Sequence, residues 1–106
     1  MKNWHKRVYL SSLDRANRFS LPFDITPEFV LSLYRKQNGK CFWFGVDLKS
    51  SRNQKDPQIP TLDRIDCKGG YTKNNVVLAC FAANIGRNTT TPRRFKEFVK
   101  LVKGSV

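Results

Sequence analysis

PTLDRIDCKGGYTKNNVVLACFAANIGR, residues 60–87, is the stretch from which the fold is read. Residues 61–65 alternate their side chains and run into an acidic pair, Asp63 and Asp66, which predicts a short strand. Residues 67–74 are turn chemistry, and Gly69-Gly70 is expected to supply positive φ. Val76-Val77-Leu78 is β-branched and apolar, which predicts a second strand. From about Ala79 a helix is expected. It carries Phe81 and Ile85 on one side, with Cys80, Asn84 and Arg87 on another at i, i+4 and i+7.

A strand–loop–strand–helix unit of this kind folds its helix back over the hairpin. Asp63 and Asn84 are then expected to converge. A carboxylate and an amide oxygen are hard donors, suited to Mg²⁺ or Mn²⁺ completed by water and phosphate oxygens. Arg87, one turn beyond Asn84, is placed to hold an adjacent phosphate. Asn75, just before the second strand, is placed to brace the loop or orient a catalytic group.

Four pieces stand at matching spacing: Asp63-Arg64-Ile65-Asp66, Gly70-Tyr71-Thr72, Asn75-Val76-Val77, and Cys80 to Arg87 as Cys-x-x-x-Asn-x-x-Arg. Together they resemble the HNH endonucleases, in particular the small phage and mobile-element branch. Fainter likeness extends upstream through Phe23-Asp24-Ile25-Thr26 and Gly39-Lys40-Cys41 to Gly45-Val46. The resemblance implies an α+β fold with a ββα-metal core. It also implies cleavage of nucleic-acid phosphodiesters, with Asp63 and Asn84 as metal ligands.

Two departures from the family pattern bear on mechanism. The family usually places a histidine directly after the first metal ligand, as general base. Here that residue is Arg64, and the one histidine, His5, is remote in sequence. Asp66 is the nearest alternative base, and a metal-bound hydroxide is the other option. Arg64 is then a phosphate clamp or a stabiliser of the pentacovalent oxygens. Many family members also carry two Cys-x-x-Cys pairs for zinc. The corresponding pairs here read Cys41-Phe42-Trp43-Phe44 and Cys80-Phe81-Ala82-Ala83. One cysteine survives in each, and Phe44 and Ala83 are expected to fill the remaining space by apolar contact. No structural zinc is expected.

The 106 residues fit one domain, with the finger at 60–88, N-terminal helices within 6–38 and a C-terminal helix at 92–103. Twenty Lys+Arg against eight Asp+Glu give a net charge of +12. That excess points to a polyanion, with double-stranded DNA the expected partner. No apolar run is long enough for a membrane span and no signal peptide is evident. Three cysteines fit a reducing compartment, the cytoplasm, and a bacterial host's if the chain is phage-encoded.

In the flanks, Leu10, Leu13 and Ala16 set a helical stripe, with a basic face of Lys2, Lys6, Arg7, Arg15 and Arg18. Thr26-Pro27-Glu28 is a helix start and Gly39 a helix stop. Phe42, Trp43 and Phe44, in an expected hairpin, are core or a base-stacking platform. Residues 49–59 form a polar loop whose Lys49, Arg52 and Lys55 are within reach of DNA. Phe95, Phe98, Val99 and Val102 mark an amphipathic helix, with Arg93 and Arg94 on its polar side. Lys68 and Lys73 complete the candidate DNA contacts together with Arg15, Arg18, Arg87, Arg93 and Arg94. A rival reading keeps the finger as a catalytically degenerate DNA-binding module.

Overall fold

A computed structural model describes residues 3–105, which leaves Lys2 outside the described part. The fold is α+β, with four helices and one two-stranded antiparallel sheet. In chain order the elements are α1 (Trp4–Arg18), α2 (Pro27–Lys36), β1 (Pro60–Arg64), β2 (Val76–Cys80), α3 (Phe81–Arg87) and α4 (Pro92–Ser105). The strands pair with Asp63 opposite Val77 and Arg64 opposite Val76. α3 follows β2 without a break, so Ala79 and Cys80 end the strand and the helix starts two residues later than the sequence predicts.

β2 is buried along its whole length. Its outer edge is covered from a distance: the Gln37 amide accepts from Leu78 N–H (2.9 Å) and donates to Leu78 C=O (2.8 Å), and Phe42 N–H donates to the same carbonyl (3.0 Å). A two-stranded ribbon alone is marginal in water, and this cover closes the ladder that pairing leaves open. Thr26 caps α2 by accepting from Phe29 N–H at 3.1 Å, with Pro27 in the first turn, as the start signal predicts. Lys40 and Asp47 form only an isolated bridge, with a turn at 42–44 in place of the expected hairpin ladder.

The glycine pair acts through space rather than through φ. Positive φ among glycines is confined to Gly39 and Gly45 within residues 3–105. A Cβ at Gly69 would lie 2.7 Å from Asn75 Nδ2, and one at Gly70 would lie 2.3 Å from the Pro22 carbonyl oxygen. The loop therefore packs against its own brace and against residues 22–24. There Tyr71 N–H donates to Pro22 C=O (2.9 Å) and Asp24 N–H to Tyr71 C=O (3.1 Å).

Three apolar stripes differ from expectation. α1 buries Val8, Ser12 and Ala16, while Leu10 faces out. α3 buries Ala83 and Arg87, while Ile85 is exposed. α4 buries Phe95 and Val99 but exposes Phe98, Leu101 and Val102. In each case the buried positions are four apart on one helix face. No helix among the described residues is long and apolar enough to cross a membrane.

Candidate metal and phosphate cleft

The last residues of β1 and one face of α3 enclose a cleft of about 570 Å³, lined among others by Arg15, Asp63, Arg64, Tyr71 and Asn84. Asp63 is 5% exposed, and both of its oxygens are engaged. Trp43 Nε1–H donates to Oδ2 at 2.7 Å, and Arg87 donates to Oδ1 at 3.2 Å. Burial pushes the Asp63 carboxyl above its usual range. The Trp43 hydrogen bond, then the charges of Arg87 and Arg64, pull it back in part.

Arg87 is 1% exposed, which corrects the expectation that it grips a phosphate. Its guanidinium lies 4.8 Å from the centre of the Trp43 ring and donates to Asp63, to Arg64 C=O at 2.9 Å and to Ile65 C=O. The side chain points under β1 because α3 packs its Ala83–Arg87 face inward. There it neutralises Asp63 and satisfies the carbonyls where β1 ends. Arg's fork of donors suits this buried role.

Asn84 is half-buried and donates through Nδ2 to Thr61 Oγ1 (3.0 Å) and Leu62 C=O (3.4 Å). Those contacts fix the amide plane and leave Oδ1 as the acceptor of a cleft-lining residue. The expected partners Asp63 and Asn84 therefore line the same cavity. Each Asp63 oxygen has a second lone pair beyond the contact it already accepts. One carboxylate and one amide oxygen are a lean donor set. They suit Mg²⁺, which keeps waters and is commonly completed by substrate phosphate.

Arg64 lines the cleft, but one of its nitrogens donates to Cys67 C=O and Gly69 C=O, each at 2.9 Å. It is a loop tether as well as a cleft cation. Asn75 is the second brace. Its Oδ1 accepts from Asp66 N–H (3.0 Å), and its Nδ2 donates to Asp66 C=O (3.1 Å) and Gly70 C=O (2.9 Å). Asp66 is exposed, accepts from Lys68 N–H at 2.9 Å and is not among the residues that line the cleft. That corrects its placement as the nearest base, because three residues on from Asp63 the chain has already left the strand.

Arg15 lines the cleft from α1, while Arg18 pairs with Asp14 at 2.8 Å. Lys68 and Lys73 are exposed on the β1–β2 loop, and Arg93 and Arg94 are exposed on α4, outside the cleft. Trp43 and Tyr71 are site residues that local sequence reasoning misses. Trp43 sits 20 positions from the carboxylate it holds. Tyr71 enters the sequence reading as part of a turn and of the Gly70-Tyr71-Thr72 piece, with no role of its own, yet it is buried beneath Arg64, whose guanidinium lies 5.4 Å from the ring centre.

At the N-terminal end of α3, Cys41 and Cys80 meet. Cys80 N–H donates to Cys41 Sγ at 3.3 Å, and Phe44 N–H donates to it at 3.5 Å. The hydrogen bond from the Cys80 thiol brings Cys41 down to about 6 and pushes Cys80 up. Ala83 is fully buried beside them, and Phe44 stacks on Phe95 at 5.9 Å. Among the described residues no group of three or more His, Cys, Asp or Glu is placed to hold a metal.

The fold is similar to that of a solved structure, the rare-cutting HNH restriction endonuclease PacI, for which a mechanism of DNA perturbation is described. The TM-score is 0.75 at 17% identity, over 95% of this chain and 78% of that one. No family model and no curated protein sequence matches the chain.

Proposed function

We propose that this chain is a metal-dependent DNA endonuclease of HNH type that nicks or cleaves phosphodiesters with low sequence specificity. The observation that carries the reading is the convergence of Asp63 and Asn84 on one arginine-lined cleft, on an HNH-like fold. Asp63 and Asn84 Oδ1 would hold Mg²⁺ or Mn²⁺, which supplies charge stabilisation to the phosphate and the leaving oxygen. Trp43 and Arg87 lock the carboxylate before substrate arrives. Arg15 and Arg64 meet phosphate oxygens, and Asn75 keeps the Arg64 loop in register. Asp63 is the lone carboxylate lining the cleft among the described residues, so no second acid is at hand as base and turnover is slow.

Double-stranded DNA is the substrate that a charge of +12 favours, with Lys68, Lys73, Arg93 and Arg94 as outlying phosphate contacts. The proposed setting is the cytoplasm of a bacterial host. One observation favours the rival reading, a binding module that has lost catalysis: both Asp63 oxygens already have protein partners. Supercoiled-plasmid nicking separates the two. The enzyme converts plasmid to open circles in Mg²⁺ or Mn²⁺ and stops in chelator, whereas the binder shifts DNA and never nicks it.

A further inference from the structure

The cleft does not end at Asn84. It runs on beneath α1 into a second hollow of about 340 Å³, and Arg15, Thr61, Leu62, Tyr71, Phe81 and Asn84 line both. Trp4, Val8 and Ile59 add apolar wall, Ser11 and Gln54 add polar edge, and Arg7 stands at the rim. Arg7 donates to Ser51 C=O at 3.4 Å, which draws the 49–59 loop against α1 and closes one side. Arg7, Ser11 and Arg15 are four apart, so guanidinium, hydroxyl and guanidinium share one helix face.

We infer that this hollow takes a single unstacked nucleobase from the strand whose phosphate lies in the cleft, and the inference rests on the nuclease reading above. Aromatic and aliphatic wall suits the flat face of a base, while hydroxyl and amide groups suit its edge. Arginines at both ends suit the phosphates on either side of that nucleotide. The volume lies at the lower end of small-ligand sites, roughly 300–1,000 Å³, which leaves room for one base. Because the two hollows share a wall, a nucleotide joined to the phosphate in the cleft reaches the second without leaving its strand. The cost is unpairing and unstacking, which is least where the base is already mispaired.

The test compares three duplexes of one sequence: fully paired, with a central mismatch, and with abasic residues on both strands at the same position. Ca²⁺ replaces Mg²⁺ so that binding is read without cleavage. Mismatch and abasic site both loosen the helix, but the mismatch alone offers a base. Wild type is expected to bind the mismatched duplex about tenfold more tightly than the abasic one, in line with stacking of one base. Ser11→Trp, at an exposed position on α1, fills the hollow and is expected to erase that preference. Phe81→Ala, which removes a wall instead of filling the space, is expected to reduce it. Equal binding of mismatched and abasic duplexes by wild type would overturn the inference, as would a preference that neither variant alters. Failure of wild type to bind any of the three would instead remove the DNA reading itself, and the base pocket with it.

Discussion

The two ends of the buried face of α3 meet opposite conditions. At its Arg87 end, Asp63 and Arg87 form a buried ion pair, with side chains 7% and 2% exposed. At its Ala83 end, where the HNH resemblance would place zinc ligands, Cys41, Ala83 and Phe95 belong to the apolar core and Phe44 packs against it. Trp43 joins the two: its indole N–H holds Asp63, its face lies under Arg87, and it makes a T-shaped contact with Phe95, 5.6 Å between ring centres. Burying two ions costs several kcal/mol each before their attraction returns any of it, and apolar residues of similar size often serve a scaffold as well or better. The chain has apolar fill at one end of this face and a charged pair at the other. In our reading the difference marks where a scaffold suffices and where chemistry requires a carboxylate.

The largest effect expected is at the pair. Asp63→Ala strands a buried guanidinium and should cost about 3–5 kcal/mol in urea unfolding. The double variant Asp63→Leu/Arg87→Met should recover most of that stability and still fail to nick plasmid. A stable double variant that nicks would reduce the pair to scaffold and erase the contrast between the two ends.

Next in size is a change at the Ala83 end. Phe44→Cys with Ala83→Cys would complete four cysteines around the Cys41–Cys80 contact. Metal analysis should then find about one zinc per chain, while wild type holds none tightly and keeps its melting temperature in chelator. Stoichiometric zinc in wild type would mean that the apolar end is not the replacement described.

A smaller effect concerns pH. Metal binding needs the ionised carboxylate, and burial raises Asp63 above its ordinary value of 3.8. As pH falls, the carboxylate therefore takes up its proton earlier than a solvated aspartate does. The acid limb of the nicking rate should lie above that ordinary value, and Arg87→Met should move it higher still. A limb at the ordinary value would place Asp63 in a water-like setting.

The smallest effect is expected on α4. Arg93 and Arg94 share Glu97 in long, exposed ion pairs at 3.5 and 3.7 Å, which contribute little to folding. Replacing both by Ala should weaken binding to all sequences alike. It should also flatten the slope of log K against log salt by about 0.9 per lost phosphate contact. An unchanged slope would turn this face away from DNA.

The ββα order, the capped start of α2 and the shared cleft of Asp63 and Asn84 were legible because each rests on local spacing or turn chemistry. Arg87 was not. Its spacing from Asn84 places it at the cleft wall as expected, but its guanidinium is held by Asp63, the carbonyls at the end of β1 and Trp43, which comes from a distant turn. Asp66 misled for a related reason, since nearness in sequence did not survive the end of β1. At Gly69 and Gly70 the residue type was informative but the cause was crowding by Asn75 and Pro22. Exposed Leu10, Ile85 and Phe98 show that periodicity marks a candidate face, while contact with other elements decides which part of it is buried.

The central claim is that Asp63 and Asn84 together hold a divalent ion against phosphate, and Asn84→Ala tests it most directly. The substitution removes an amide oxygen from the cleft without disturbing the buried pair. The hydrogen bonds lost should cost only about 1 kcal/mol of stability. Plasmid nicking in Mg²⁺ or Mn²⁺ is predicted to fall by roughly a hundredfold or more, with melting temperature and metal-free DNA binding nearly unchanged. Nicking by Asn84→Ala at the wild-type rate, or a wild type that never nicks in either metal, would contradict it.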